Sequence, residues 1–209
     1  MAANKENEPY HNEQELKIMH FGSKRTLWWA LLLVFLLPGA SLAAEFTADM
    51  VITSKAAGGD MSGKVFVKGN SLRQDLETPI GVQSTIIPSG GPVMYVLLPG
   101  MKMYMEMQNT QVTLDGSENL EAKMANQGKV TKKGTETVEG YSCDVYHIVY
   151  SDKNLGEGTI WVSSELNYPL KIHTVTPRDT ATILYKNIRR GNLDNGLFSL
   201  PAGYKKFSM

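Results

Sequence analysis

The sequence is short of the residues that most often carry chemistry. A single cysteine among 209 residues, Cys143, leaves no internal disulfide to be made. Its neighbours alternate as those of a half-buried strand do, which predicts a buried and inert thiol. Beyond residue 44 the only histidines are His147 and His173, far apart in the chain. No HExxH, CxxC, GxSxG, Walker or GxGxxG stretch occurs, so zinc, hydrolase and nucleotide chemistry have no local signature. The glycines of "GEGTIW" (156–161) lead into a strand and read as a turn. Cys143 and His147 fall on one face of a strand, but four residues of strand span about 13 Å, too far for a nucleophile and its base. Asp60, Asp115, Asp152 and Asp194 sit at turn signals, where Asp bonds to its own backbone, and no carboxylate pair stands out as acid and base. An excess of one charge is also missing. Lys and Arg number 21 against 21 Asp and Glu, so no long-range field draws in nucleic acid or an anionic membrane. The expectation is a non-enzymatic protein with no cofactor and no nucleic-acid partner.

A run of apolar residues long enough to span a bilayer is absent as well. "KRTLWWALLLVFLLPGASLAA" (24–44) places Lys24 and Arg25 before an apolar stretch from Leu27 to Leu37, which Pro38 and Gly39 break. Small residues follow at Ala40, Ser41, Ala43 and Ala44. A membrane span needs roughly 20 apolar residues. The layout is that of a secretory signal peptide cut after Ala43 or one residue later. Residues 1–18 are polar and lie upstream of this pattern, which fits a true start at Met19. The reading is an N-terminal extension and cleavable leader over 1–43, then one domain over 44–209, exported to the periplasm of a Gram-negative envelope without a stable membrane span.

What is present is strand pattern. Turn signals recur every eight to twelve residues, as in all-β sandwiches and barrels. "FTADMVITSK", "MSGKVFVKGN", "SLRQDLETP", "VQSTIIP", "VMYVLLP" and "KMYMEMQ" precede residue 109, with Gly69–Asn70 marking a tight hairpin. "DGSENLEAKMANQGK" (115–129) breaks the pattern. Ser117 as cap, Leu120 and Met124 four apart, and Gly128 as stop predict one short amphipathic helix. Strands resume through "VTKKGTETVEG", "YSCDVYHIVYS", "GEGTIWVSS", "YPLKIHTVT" and "TATILYKNIRRG". In the tail "LDNGLFSLPAGYKKF", Leu197, Phe198 and Leu200 can pin an irregular segment. About ten antiparallel strands must close on themselves or be covered. The predicted fold is mainly β with minor α: a curved antiparallel sheet, a half-open barrel, with the short helix over its concave face.

The most distinctive stretch is "PGMKMYMEMQ" (99–108), in which Met101, Met103, Met105 and Met107 alternate strictly. On a strand all four thioethers share a face. Three readings stay open. Methionine is an adaptable filler of cores and greasy pockets, so the row is either packed core or the wall of an apolar site. That wall would be Met94, Val96, Met101, Met103, Met105 and Met107, with Leu120 and Met124 from the helix. Soft sulfur also suits Cu(I), which makes Met101, Met103 and Met105 a weaker candidate metal site.

"GKVFVKGNSLRQDLE", "PVMYVLLPGMKMYMEM", "GTETVEGYSCDVYHIVY", "GTIWVSSELNYPLKIH" and "YKNIRRGNLDNGLFSLPAGYKKF", in that order, resemble the exported bacterial proteins of the domain-of-unknown-function family DUF4412. That family is similar to the LolA-like outer-membrane lipoprotein carrier and sorting group. The resemblance covers nearly all of 46–207 and implies a half-barrel that holds an acyl chain of a lipid or lipoprotein on its concave face. The carrier proper uses an arginine beneath a larger helical lid, and Arg73 is the only candidate here. An envelope interaction or sensor module with a filled cavity is the alternative the same fold allows.

Overall fold

Apolar and polar side chains that alternate with a period of two must lie on opposite faces of a sheet, and this chain builds one large sheet from such runs. The computed structural model describes residues 37–38, 45–56, 59–78, 81–90, 92–109, 113–114 and 120–207. The strands in chain order are β1 (Leu37–Pro38), β2 (Glu45–Ser54), β3 (Gly59–Lys68), β4 (Ser71–Thr78), β5 (Gly81–Ile87), β6 (Val93–Leu98) and β7 (Met103–Gln108). Then follow β8 (Thr113–Leu114), the helix α1 (Leu120–Met124), β9 (Gly128–Val138), β10 (Tyr141–Tyr150), β11 (Glu157–Ser163), β12 (Tyr168–Val175), β13 (Thr180–Arg190) and β14 (Lys205–Lys206). Of the expected leader, only Leu37–Pro38 is described, paired in parallel with Thr113–Leu114; the remainder of 1–43 lies outside the described residues. Contacts group Val34–Met209 into one unit.

Twelve strands join in the order β14-β7-β6-β5-β4-β3-β2-β13-β12-β11-β10-β9. Two meanders, β2 to β7 and β9 to β13, are antiparallel throughout and meet where β2 pairs with β13. Tight turns set the registers. Gly69 at φ +56° opens the two-residue link from β3 to β4, and Glu139 and Gly140, both at positive φ, link β9 to β10.

The sheet is strongly curved. Gln74 on β4 donates to the Tyr185 hydroxyl on β13 at 3.1 Å, although β3 and β2 lie between them. Neighbouring strands are about 4.8 Å apart, so a flat sheet would hold these two positions well beyond reach. Phe46 and Tyr168 meet edge to face at 5.4 Å across β13, and Tyr168 meets Tyr185 at the same distance. Phe46, Val65, Val67, Leu72, Ile172 and Ile183 are buried around this aromatic centre.

Both ends of the strand order are protected, by different means. β9 carries Lys129, Lys132 and Lys133 and a bulge at Gly134, devices that discourage edge pairing. β7 is covered by a later segment of the same chain. After Arg190 the backbone crosses the face opposite the aromatic centre, forms a 3-10 turn at Asn195–Phe198 against β4, and returns as β14 parallel to β7. Several contacts hold this strap, among them Lys68 Nζ donating to the Leu193 carbonyl at 2.6 Å. The Leu193 amide bonds to Glu45, whose carboxylate also pairs with Lys68 at 2.9 Å. The Arg73 guanidinium reaches the Leu197 carbonyl at 3.4 Å, and Phe198 is buried.

The helix departs from expectation. Its described part is one turn and a half, Leu120–Met124, and Gly128 opens β9 instead of ending a helix. The reason is close backbone approach: a Cβ at Gly128 would collide with the Val149 carbonyl of β10. Ser117 lies outside the described residues.

Candidate functional site

Register sorts the side chains of β2 to β7 onto two faces with different chemistry. Phe46, Ala48, Met50 and Ile52 of β2 align with Met61, Val65 and Val67 of β3, then with Leu72, Gln74 and Leu76 of β4. The same face continues through Gln83, Thr85 and Ile87 of β5, Met94, Val96 and Leu98 of β6, and Met103, Met105 and Met107 of β7. No formal charge lies on it. The opposite face carries Asp49, Lys64, Lys68, Arg73, Asp75, Glu77 and Glu106, together with the buried Ile86 and Leu97. Burying an unpaired charge is costly whereas apolar surface gains from leaving water, so a face of this composition is built for apolar contact.

Five of the eight wall residues expected from the sequence come together on this face. Met94 pairs with Met107 and Val96 with Met105 across β6 and β7, and Met103 sits opposite Leu98. Met94 and Val96 are buried, while Met103, Met105 and Met107 are half-buried. The result is a firm floor with a softer, partly open border.

Met101 is not part of the row. Pro99–Met101 form a 3-10 turn, closed by the Lys102 amide on the Pro99 carbonyl at 3.2 Å, and the ladder begins only at Met103. Lys102 takes a left-handed φ of +50°, and Met101 is 59% exposed. This splits the methionine trio considered for copper, leaving Met103 and Met105 about 7 Å apart along one strand. Among the described residues, no three His, Cys, Asp or Glu gather as a metal site. Leu120 and Met124 are buried, and the main neighbour of α1 is β9, which follows it in sequence and ends the strand order opposite to β7.

Arg73 lies on the face opposite the methionines. Its Nε contacts Asp75 Oδ1 at 2.9 Å and its Nη1 contacts Leu197, so it pins the strap. Cys143 is fully buried, and burial raises its thiol pKa, with the Asp144 charge acting in the same direction. Its Sγ lies 3.6 Å from the Tyr141 carbonyl, whereas His147 faces Glu157 at 3.4 Å; the two do not form a catalytic pair.

The sequence reading missed the polar centre of the interior face. Gln74, Tyr168 and Tyr185 are buried together, and burial pushes the Tyr185 phenol up to about 12 and Tyr168 well above its ordinary value. The available signal was Gln74 itself, in phase with Leu72 and Leu76 of an alternating run. Lys205 and Phe207 were also missed, since their face depends on where the strap lands.

Residues 46–168 match the family model described as domain of unknown function DUF4412. A comparison with curated proteins finds no match. Among solved structures, the chain is similar to an uncharacterized conserved protein from Thermus thermophilus, with a TM-score of 0.56 and 10% identity over 79% of this chain and 91% of that chain. That likeness is one of fold. Also similar, at a TM-score of 0.38, is a LolA superfamily protein from Nitrosomonas europaea, 12% identical over 76% of this chain and 91% of that one. The lipoprotein LppX of Mycobacterium tuberculosis follows at 0.40, 10% identical over 71% and 89%. Among the described residues, no helix is long and apolar enough to cross a membrane. On the match over 46–168, the chain belongs to the DUF4412 family.

Proposed function

We propose that this is a non-enzymatic periplasmic protein that binds an apolar ligand, the acyl chain of a lipid or lipoprotein, on the interior face of its curved sheet. The observation that carries this reading is the charge-free face of β2 to β7 ending in half-buried Met103, Met105 and Met107. Unbranched, polarizable methionine adapts to chains of varied shape. Each Å² of apolar surface removed from water contributes about 25 cal/mol, so a chain is held without a cofactor. Native mass spectrometry of protein purified from periplasm tests it. Co-purifying lipid is expected; a clean apo mass together with no binding of fluorescent fatty acids would overturn it.

A second reading, an envelope interaction or sensor module with a filled interior, draws on a separate observation. The middle of the face is occupied by Phe46, Tyr168 and Tyr185, stacked edge to face. The acyl-chain reading therefore concerns the β5–β7 end of the face, not its centre.

A further inference from the structure

The strap adds two residues to the methionine wall. β14 runs parallel to β7 with Lys205 beside Met103 and Lys206 beside Tyr104. The Lys205 and Phe207 amides donate to the Lys102 and Tyr104 carbonyls at 2.9 and 2.7 Å, so the pairing continues through Phe207. Charge contacts confirm the alternation. Lys206 Nζ meets Glu106 Oε2 at 2.9 Å on the opposite face, which leaves Lys205 and Phe207 on the face of Met103 and Met105. Phe207 is 42% exposed there.

Lys205 is thus the one formal charge that β14 brings to the face that β2 to β7 leave uncharged. It has no ion-pair partner among the described residues, whereas its neighbour Lys206 is paired. A lysine in this position lays its methylene stem along apolar neighbours and holds its ammonium at their border. Beside it, Phe207, Met105 and Val96 align across three strands.

We propose that the ligand is a long-chain carboxylic acid, its chain lying over Met103, Met105 and Phe207 and its carboxylate paired with Lys205. This rests on the acyl-chain reading above and adds to it a head group and a polarity. The chain contributes most of the affinity and the ion pair decides between chains of equal length. Lys205 is exposed, and an exposed pair of this kind is worth up to about fivefold in binding.

Competition of dodecanoate and of dodecanol against a bound fluorescent fatty acid, at neutral pH and moderate salt, tests the proposal. The acid is expected to bind more tightly than the alcohol, by up to about fivefold. Lys205→Gln should remove that preference and leave the alcohol unaffected, and Lys206→Gln should change neither. Phe207→Ala should weaken both ligands equally. An acid-to-alcohol ratio unaltered by Lys205→Gln overturns the head-group assignment while the acyl-chain reading stands. If neither dodecanoate nor dodecanol binds the wild-type protein, both readings are overturned.

Discussion

Gln74 and Tyr185 share a hydrogen bond of 3.1 Å from strands three places apart in the sheet. The bond is possible only because the sheet curls, and it lies in a polar patch of a mainly apolar interior face. Removing a buried partner leaves the other group short of a bond, at about 1–3 kcal/mol. Gln74→Ala is expected to lower the unfolding free energy by that amount, seen in urea titration as a lower midpoint at an unchanged m-value.

The same cluster sets an alkaline limit. Burial raises both Tyr185, to about 12, and Tyr168. In the unfolded chain a tyrosine ionises near 10, so above that pH the folded state binds more protons than the unfolded one. Stability is therefore full below pH 10 and falls as the pH climbs towards 12, by up to about 1.4 kcal/mol per pH unit for each tyrosine. Urea titrations between pH 8 and pH 12 should show a plateau, then a decline that Tyr185→Phe makes shallower. A flat profile to pH 12 would contradict the burial of these phenols.

The strap is held by one buried ring and a few polar contacts. Phe198→Ala should cost about 3–5 kcal/mol, whereas Arg73→Ala loses a guanidinium contact and should cost about 1 kcal/mol. Limited proteolysis followed by mass spectrometry should find new cuts between residues 191 and 204 in Phe198→Ala.

The methionine face separates lipid from metal. Replacing Met103 and Met105 together by Leu keeps the apolar area, and such swaps usually cost under about 1.5 kcal/mol. The double variant should bind fluorescent fatty acid about as well as the wild type, while Met105→Glu should abolish binding. Anaerobic Cu(I) titration of the Leu double variant should match the wild type; a lost high-affinity site would instead favour copper.

Cys143 should stay unmodified by iodoacetamide in native protein and react promptly once unfolded. Its thiolate is disfavoured by burial and by the nearby Asp144, and only the thiolate attacks.

The strands were legible because each run repeats the same apolar phase, and burying that phase on one face fixes register as well. Cys143 was legible for the same reason. The methionine row is one residue shorter than its spacing implies: spacing alone gives Met101 the right phase, but Pro99 and Gly100 form a turn that consumes it. Gly128 misled because a glycine at a helix stop and one at a close strand crossing look alike in sequence. Arg73 shows a different limit. Its alternation with Leu72 and Gln74 already put it on the charged face, and only the resemblance to a carrier argued otherwise. The strap's landing on β7 had no local signal, since two residues of ladder leave almost no pattern.

Where β2 joins β13, residues Phe46–Ser54 pair with Ala181–Arg190. Every other antiparallel pair in the large sheet links strands adjacent in the chain. Two halves can thus zip up from local contacts, but they become one sheet only when segments some 130 residues apart in sequence meet, the sort of distant closure that slows folding. Until then one side of β2, "EFTADMVITS", stands open. That edge is where a folding helper would have most to protect, and where a stalled chain would find another copy of itself.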